Sequence, residues 1–350
     1  MKQFDSIPLT HEAQVGLARR HINRLAAEIG LSELQLAEIE LVVKELGSNA
    51  LKFARGTGRI YFAAADERFE ARGLEIIYLD KGPGIEDTAM AISDGYSTTG
   101  SLGAGLGAIK RMSDEFYIYS ALDSVTRRLP MYGRTTHGTA IVFRKRVNRE
   151  DQAPQAAQGL WGTMTRPLEG HTDNGDAYVV RWLDNRLLVA VIDGLGHGGA
   201  ASESARAAIT AIERNLERSV EAIIWEAHEA LRQMRGAVMG LAAIDRAAGT
   251  IEYAGIGNTD IRVIGGRERL RFISLNGTLG SRLDRVKVFK ETLPKVATLI
   301  MATDGISERW EPDNYPGLFG LHPQLFCATV MRDFSRPNDD ATILCGRLQS

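Results

Sequence analysis

The sequence predicts a two-domain α+β protein, and three observations predict it. Its 350 residues are enough for about two domains at roughly 100–200 residues each. Residues 148–160, Asn-Arg-Glu-Asp-Gln-Ala-Pro-Gln-Ala-Ala-Gln-Gly-Leu, are polar, carry a proline and show no apolar period, as a linker does. The patterns on its two sides differ: two long helices and then strands before it, mostly strands around a helix pair after it. No internal repeat is visible. The expected domains are therefore 1–147 and 161–350.

The elements follow in order. Residues 10–29 and 32–54 carry helical apolar spacing, and the second helix opens on Ser32 with Gln35 three positions on, a capping box. Strand-like runs follow at 59–64, 74–79, 115–120 and 139–143, with a helix at about 104–113 between the middle two. Past the linker, 177–182 and 186–192 alternate and are joined by Asp184-Asn185, which reads as a hairpin turn. Helices are expected at about 199–217 and 219–234. Further strands are expected at 240–245, 250–255, 259–264, 297–302 and 341–347.

Composition excludes several classes. Hydrophobic residues make up 44% and charged residues 25%, so the chain can bury cores and is not disordered. Residues 1–150 hold 20 basic and 19 acidic residues, and 151–350 hold 22 and 25. Neither half is a basic surface for nucleic acid. The two cysteines, Cys327 and Cys345, form no CxxC pair, which points to a reducing compartment. The N-terminus has no apolar signal core, and no apolar run approaches the ~18 residues of a membrane helix. A soluble, cytoplasmic protein is expected, with no membrane or nucleic-acid partner. Glycine is in excess, at 36 residues against a usual ~7%.

Those glycines gather in loops suited to ligands. In the helix 32–54, Glu38, Glu45, Asn49 and Lys52 share a face beside the stripe Ile39, Val43, Leu46, Ala50 and Phe53. The face reads either as solvated or, through the Glu45/Asn49 oxygen pair, as a holder of water or hydrated Mg²⁺. The strand 74–79 ends in Asp80-Lys81-Gly82-Pro83-Gly84, where a carboxylate and two glycines can meet a ligand edge or merely turn the chain. Residues 97–109, Ser-Thr-Thr-Gly-Ser-Leu-Gly-Ala-Gly-Leu-Gly-Ala-Ile, run hydroxyls and glycines into a helix start, a polyphosphate cradle by chemistry.

In this order, and closed by His137-Gly138-Thr139, the set resembles the GHKL ATPases over about residues 10–147. That resemblance implies a Bergerat α/β sandwich binding ATP and Mg²⁺. It places Glu45, Asn49 and Lys52 in the N box, and Asp80, Gly82 and Gly84 in the first glycine box. Thr98 and Thr99 fall in the ATP lid, and Gly103, Gly105, Leu106 and Gly107 in the second glycine box. It further implies that Asn49 binds Mg²⁺, that Asp80 and Thr139 take the adenine, and that Glu45 is the base for a substrate serine. The short lid is most similar to that of the stressosome's serine switch kinases, which phosphorylate STAS-domain antagonists. No phosphoacceptor-histidine dimerisation helix is present, which argues against a sensor histidine kinase.

In the second half, Asp176, Asp193, Asp304 and Asp339 each sit at a strand end or tight turn. One Asp-Gly alone is usually a turn. Asp193 and Asp304, however, follow runs too apolar for exposed turns, so each needs a partner. Oxygen-only ligands point to Mg²⁺ or Mn²⁺. The order Gly-Asp, Asp-Gly-x-Gly-His-Gly, Thr-Asp-Gly, Asp-Asp-x-Thr resembles the metal-dependent 2C-type phosphatases. It is nearest to their stage II sporulation branch, over about 161–348. The resemblance implies an αββα sandwich with two Mn²⁺ or Mg²⁺ ions. Asp176, Asp193 and the Gly194 carbonyl would flank both metals, and Asp304 and Asp339 would complete the second. His197 then either protonates the leaving oxygen or tightens its loop. The segment Tyr253–Asn258 reads as scaffold near the site. Larger 2C enzymes use an arginine for the substrate phosphate, and the sequence shows no clear counterpart.

Together the resemblances imply a bifunctional partner-switching regulator. It would be an ATP-dependent serine kinase and a metal-dependent phosphoserine/phosphothreonine phosphatase acting on STAS-domain antagonists, in a pathway that governs a sigma factor. The alternative makes the N-terminal domain an ATP-dependent module that binds a sigma factor or STAS protein without turnover. A homodimer is compatible with either.

Overall fold

A computed structural model of the protein describes residues 2–65, 71–93, 105–122, 137–148, 150, 159–266 and 268–349. Two compact units emerge, and neither is a continuous stretch of chain. One combines Lys2–Ala156 with Trp310–Asp333, and the other combines Ala157–Arg309 with Phe334–Ser350. Most of the expected linker falls outside the described residues.

The first unit opens with β1 (Asp5–Leu9), α1 (Glu12–Ile29), α2 (Glu33–Phe53), β2 (Gly58–Ala64) and β3 (Gly73–Leu79). It continues with α3 (Thr88–Ala91), α4 (Gly105–Met112), β4 (Glu115–Ala121) and β5 (Gly138–Arg146). The expected capping box is present: the Ser32 hydroxyl accepts from the Gln35 amide while the Gln35 side chain reaches back to the Ser32 amide. The strands form one antiparallel sheet, ordered β1-β2-β3-β5-β4. Strand β1 was not anticipated. It is short, sits at the sheet edge and contains Pro8, which an edge tolerates because it needs no inward amide.

Ile76 and Tyr78 of β3 face α1, α2 and α4 in a core that includes Ile22, Val43, Leu46, Ile109 and Phe143. Glu75, which alternates with them, joins a buried charge ladder. It pairs with Lys2 at 2.8 Å and with Arg144 at 2.5 Å, and Arg144 pairs with Glu115 at 2.9 Å. The register sets Arg144 directly opposite both Glu75 and Glu115, so the cross-strand pairs are built by strand alignment.

The distant piece of this unit carries most of α7 (Pro323–Phe334). The sequence did not reveal this helix, because Leu325, Phe326, Cys327, Ala328, Val330 and Met331 are all buried. A helix buried on every side, polar residues included, lacks the 3.6-residue stripe that marks a surface helix. Its Phe326 meets the Trp310 ring at 5.3 Å, and His322 just before it stacks on Tyr117 at 4.5 Å.

The second unit holds β6 (Trp161–Arg166), β7 (Asp176–Leu183), β8 (Arg186–Gly194), α5 (Gly199–Arg214) and α6 (Val220–Ala230). Next come β9 (Ala237–Asp245), β10 (Thr250–Ile256), β11 (Asp260–Gly265), β12 (Glu268–Arg271), β13 (Phe289–Thr292), β14 (Val296–Ala302) and β15 (Ala341–Gln349). They make two five-stranded sheets, β13-β10-β9-β8-β7 and β12-β11-β14-β15-β6. The β7–β8 hairpin turns at Asp184-Asn185 as expected, with Asp184 in the left-handed region at φ 43°. Helices α5 and α6 seal the first sheet through Ala208, Ile212, Ile223 and Ile224. Strands β6, β12 and β13 were not anticipated; β12 and β13 are four-residue edge strands with exposed charge, too short for a period-2 signal. The two expected domain types, each mixing helices and sheet, are thus present.

Candidate functional sites

The nucleotide-side residues converge from three elements. Helix α2 presents Glu45 and Asn49 one turn apart, both half-buried, with Lys52 exposed. Glu38, which shares that polar stripe, does not join them: it pairs with the buried Lys145 at 2.5 Å, and Lys145 also caps α4 at the Met112 carbonyl. The end of β3 delivers Asp80, 7% exposed. Its Oδ1 accepts from the Gly82 amide at 2.8 Å and the Thr139 amide at 3.1 Å. His137 Nδ1 meets the Gly82 carbonyl at 2.6 Å, and the Thr139 hydroxyl meets Ser120 at 3.0 Å, so the first glycine turn is tied to the start of β5. Gly138 makes this possible: at φ 117° a side chain there would strike the Asp80 carbonyl, 2.1 Å away.

The start of α4 completes the group. A Cβ on Gly105 would stand 3.2 Å from Glu45 Oε2, so the first residue of α4 rests against the Glu45 carboxylate, and Leu106 and Gly107 follow in the same helix. Gly84 lies on the far side of the first turn, against the Ala121 carbonyl. Thr98, Thr99 and Gly103 lie outside the described residues. The Tyr78 hydroxyl is buried beside Asp80 without a hydrogen bond of standard geometry; burial first and the Asp80 charge second push its ionisation far up. A buried polar atom left over beside a carboxylate fits a pocket that receives a polar heterocycle such as adenine.

Among the C-terminal aspartates, strand register does the assembling. Asp176 opens β7 and Asp193 nears the end of β8, directly opposite each other. Asp304 follows β14, and Asp339 precedes β15. Burial, then the charges of Asp304, Asp339 and Asp340, raise the Asp193 carboxyl to about 8. Burial, then Asp193, raises Asp176, and burial, then Asp304, raises Asp339. These are carboxylates gathered with Arg336, beside Asp339, as a minor countercharge. Among the described residues, no three acidic, His or Cys side chains close into a finished ion shell. Two of them are turned to a local donor: Asp176 to the Thr303 hydroxyl at 2.6 Å, Asp304 to Asn258 Nδ2 at 2.6 Å. An all-oxygen set under mutual repulsion fits a hard divalent cation.

Two residues here were not assigned a role from the sequence. Asn258, read as scaffold, touches Asp304 directly. Asp340, 2% exposed, accepts from the Leu168 amide at 2.7 Å and the Gly175 amide at 3.0 Å, fixing the turn that aims Asp176. Gly194 donates its amide to the Gly175 carbonyl, which locks the two aspartate-bearing turns together. His197 is exposed on the following loop, its ring 4.9 Å from that of His171. No helix among the described residues is long and apolar enough to cross a membrane.

Comparison with known proteins agrees with both halves. Residues 7–129 match the histidine kinase-like ATPase domain, and residues 183–349 match Stage II sporulation protein E (SpoIIE). The serine/threonine-protein kinase RsbT of Bacillus subtilis (strain 168) is 36% identical over 120 residues, covering 34% of this chain and 89% of RsbT. The phosphoserine phosphatase RsbX of the same organism is 30% identical over 142 residues, covering 40% of this chain and 70% of RsbX. A chain from a structural study of the bacterial stressosome, described as a modular system adapted to control secondary messenger signaling, superposes with a TM-score of 0.52. It is 26% identical and covers 54% of this chain and 98% of that one. The chain therefore belongs to the RsbT-like histidine-kinase-like ATPases through its N-terminal part and to the SpoIIE- and RsbX-like 2C-type phosphatases through its C-terminal part.

Proposed function

We propose that this chain both phosphorylates and dephosphorylates one protein substrate, a STAS-domain antagonist in a partner-switching pathway. Kinase chemistry sits in the domain at 1–147 and phosphatase chemistry in the domain at 161–350. The observation that carries the reading is the four-aspartate cluster around Asp193, a charge arrangement costly to fold unless a cation is its purpose. Joining the two activities raises the effective concentration of each around the same substrate.

On the kinase side, Asp80 and Thr139 orient the adenine, and Asn49 and Lys52 face the phosphates. Mg²⁺, when bound, neutralises charge on the phosphates. Glu45, pressed against Gly105, takes the proton from the substrate serine as its oxygen bonds to the γ-phosphorus and ADP leaves. On the phosphatase side, Asp176, Asp193, Asp304, Asp339 and the Gly194 carbonyl hold two divalent cations. Those cations would supply an activated water and a clamp on the phosphate oxygens. His197 delivers a proton to the departing serine oxygen, on an open loop where a protein substrate can reach it.

The test uses the intact chain and a STAS-domain protein. With γ-labelled ATP and Mg²⁺, label should move to the STAS serine; with Mn²⁺ and no ATP, phosphate should be released. Glu45→Gln should bind ATP normally and lose transfer by more than about 100-fold. Undiminished transfer in that variant sinks Glu45 as the base. ATP-dependent capture of the partner without transfer in the wild type selects the binding-module reading instead.

A further inference from the structure

We propose that Arg235 is the binding residue for the substrate's phosphate dianion, a role that rests on the phosphatase reading above. The connection between α6 and β9 carries three features that bring Arg235 to the aspartate site. The Leu195 amide donates to the Gly236 carbonyl at 3.0 Å, which ties this connection to the loop that follows Asp193. Gly194 lies opposite Ala237 in the β8–β9 register, so Arg235 stands beside the end of β8. Its side chain then crosses the loop: Nη1 lies 2.8 Å from the position a Cβ would take on Gly196, a residue at φ 86°. Any larger residue at 196 would displace the guanidinium.

The guanidinium is also uncommitted. Among the described residues it has no hydrogen-bond or ion-pair partner, although arginine is the side chain best suited to bidentate pairing. Its neighbour Arg232 takes the nearby Glu229 at 3.0 Å. Arg336, a second exposed cation of this region, already bears on Asp339, where its charge partly offsets the rise that burial and Asp304 impose on that carboxyl. Arg235 instead reaches over Gly196, between Asp193 and His197. A phosphomonoester there would set two oxygens on the guanidinium fork and direct its leaving oxygen to His197. The carboxylates repel such a dianion, so binding requires both the cations they hold and a free positive fork beside them. Arg235 supplies that fork.

The experiment measures inorganic phosphate binding to the Mg²⁺-loaded full chain by ³¹P line broadening, alongside Mg²⁺ affinity by thermal shift. Arg235→Ala should weaken phosphate at least tenfold with Mg²⁺ affinity within twofold of wild type. Arg235→Lys, which keeps charge but loses the fork, should fall between. Wild-type phosphate affinity in Arg235→Ala overturns the proposal. So does a parallel loss of Mg²⁺ affinity, and so does a loss found in Arg336→Ala but not in Arg235→Ala. The same variants are assayed on a phosphoserine peptide with Mn²⁺. If the wild type hydrolyses it and Arg235→Ala keeps a wild-type KM, the proposal fails while the phosphatase reading stands. If the wild type does not hydrolyse it yet phosphate binding still depends on Arg235, the phosphatase reading fails and the anion site stands.

Discussion

Asp193 faces Asp176 across one pair of strands and feels Asp304, Asp339 and Asp340 from others, so its proton is held up to about pH 8 in the metal-free protein. Between the ordinary carboxylate range and that value the folded state binds more protons than the unfolded one. Stability of the metal-free chain must then fall as pH rises from about 4 through about 8. Mg²⁺ or Mn²⁺ should offset that fall, and its binding at pH 7 should release protons. Thermal melts from pH 5 to 8 with and without Mn²⁺, and calorimetry in buffers of different ionisation heat, check both. Asp193→Asn should flatten the metal-free profile and stabilise that state by about 1–2 kcal/mol after solvent screening. It should also abolish metal-dependent hydrolysis. The four aspartates were legible because each ends or flanks an apolar run. The residues that aim them were not: Asp340 acts on Gly175, 165 positions away, and Thr303 on Asp176, 127 positions away. Nothing local in a sequence announces such pairs.

Among the elements, α2 was the most readable because its start signal lies within four residues. Ser32 and Gln35 exchange bonds with each other's backbone, and the Gln35 side chain also donates to the Arg146 carbonyl at 2.8 Å. Ser32→Ala should cost about 1 kcal/mol in urea unfolding. ATP affinity should hardly change, since Asn49 sits more than four turns further along. The β7–β8 hairpin was equally legible from its two-residue turn. Helix α7 and strand β1 were hidden for opposite reasons. The helix is buried on every side, so no stripe forms; the strand is short and interrupted by proline. Glu38 shows the limit from another direction. Its spacing placed it with Glu45 and Asn49, yet the buried Lys145 claims it, and that partner sits 107 residues later on β5.

At the scale of the whole molecule, the N-terminal unit depends on a segment, Trp310–Asp333, that follows most of the second unit in the chain. Arg332, with 5% of its side chain exposed, donates to the Asp80 carbonyl at 2.9 Å and is paired with Asp333, which also accepts from the Tyr315 hydroxyl at 3.0 Å. Arg332→Ala strands Asp333 in the interior and should cost about 3–5 kcal/mol, read by chemical denaturation. The loss should be felt at Asp80 as weaker ATP binding.

The return of Trp310–Asp333 to the first unit bears on inheritance. Two modules joined end to end can be traded by a single crossover in the gene. Here the backbone passes between units at 156/157, 309/310 and 333/334. A recombinant that imported a foreign ATPase over the first 156 residues would leave His322 without Tyr117 and Arg332 without its carbonyl. Swapping is therefore expected to succeed only when residues 310–333 travel with the N-terminal piece, so that these two stretches of gene drift as one.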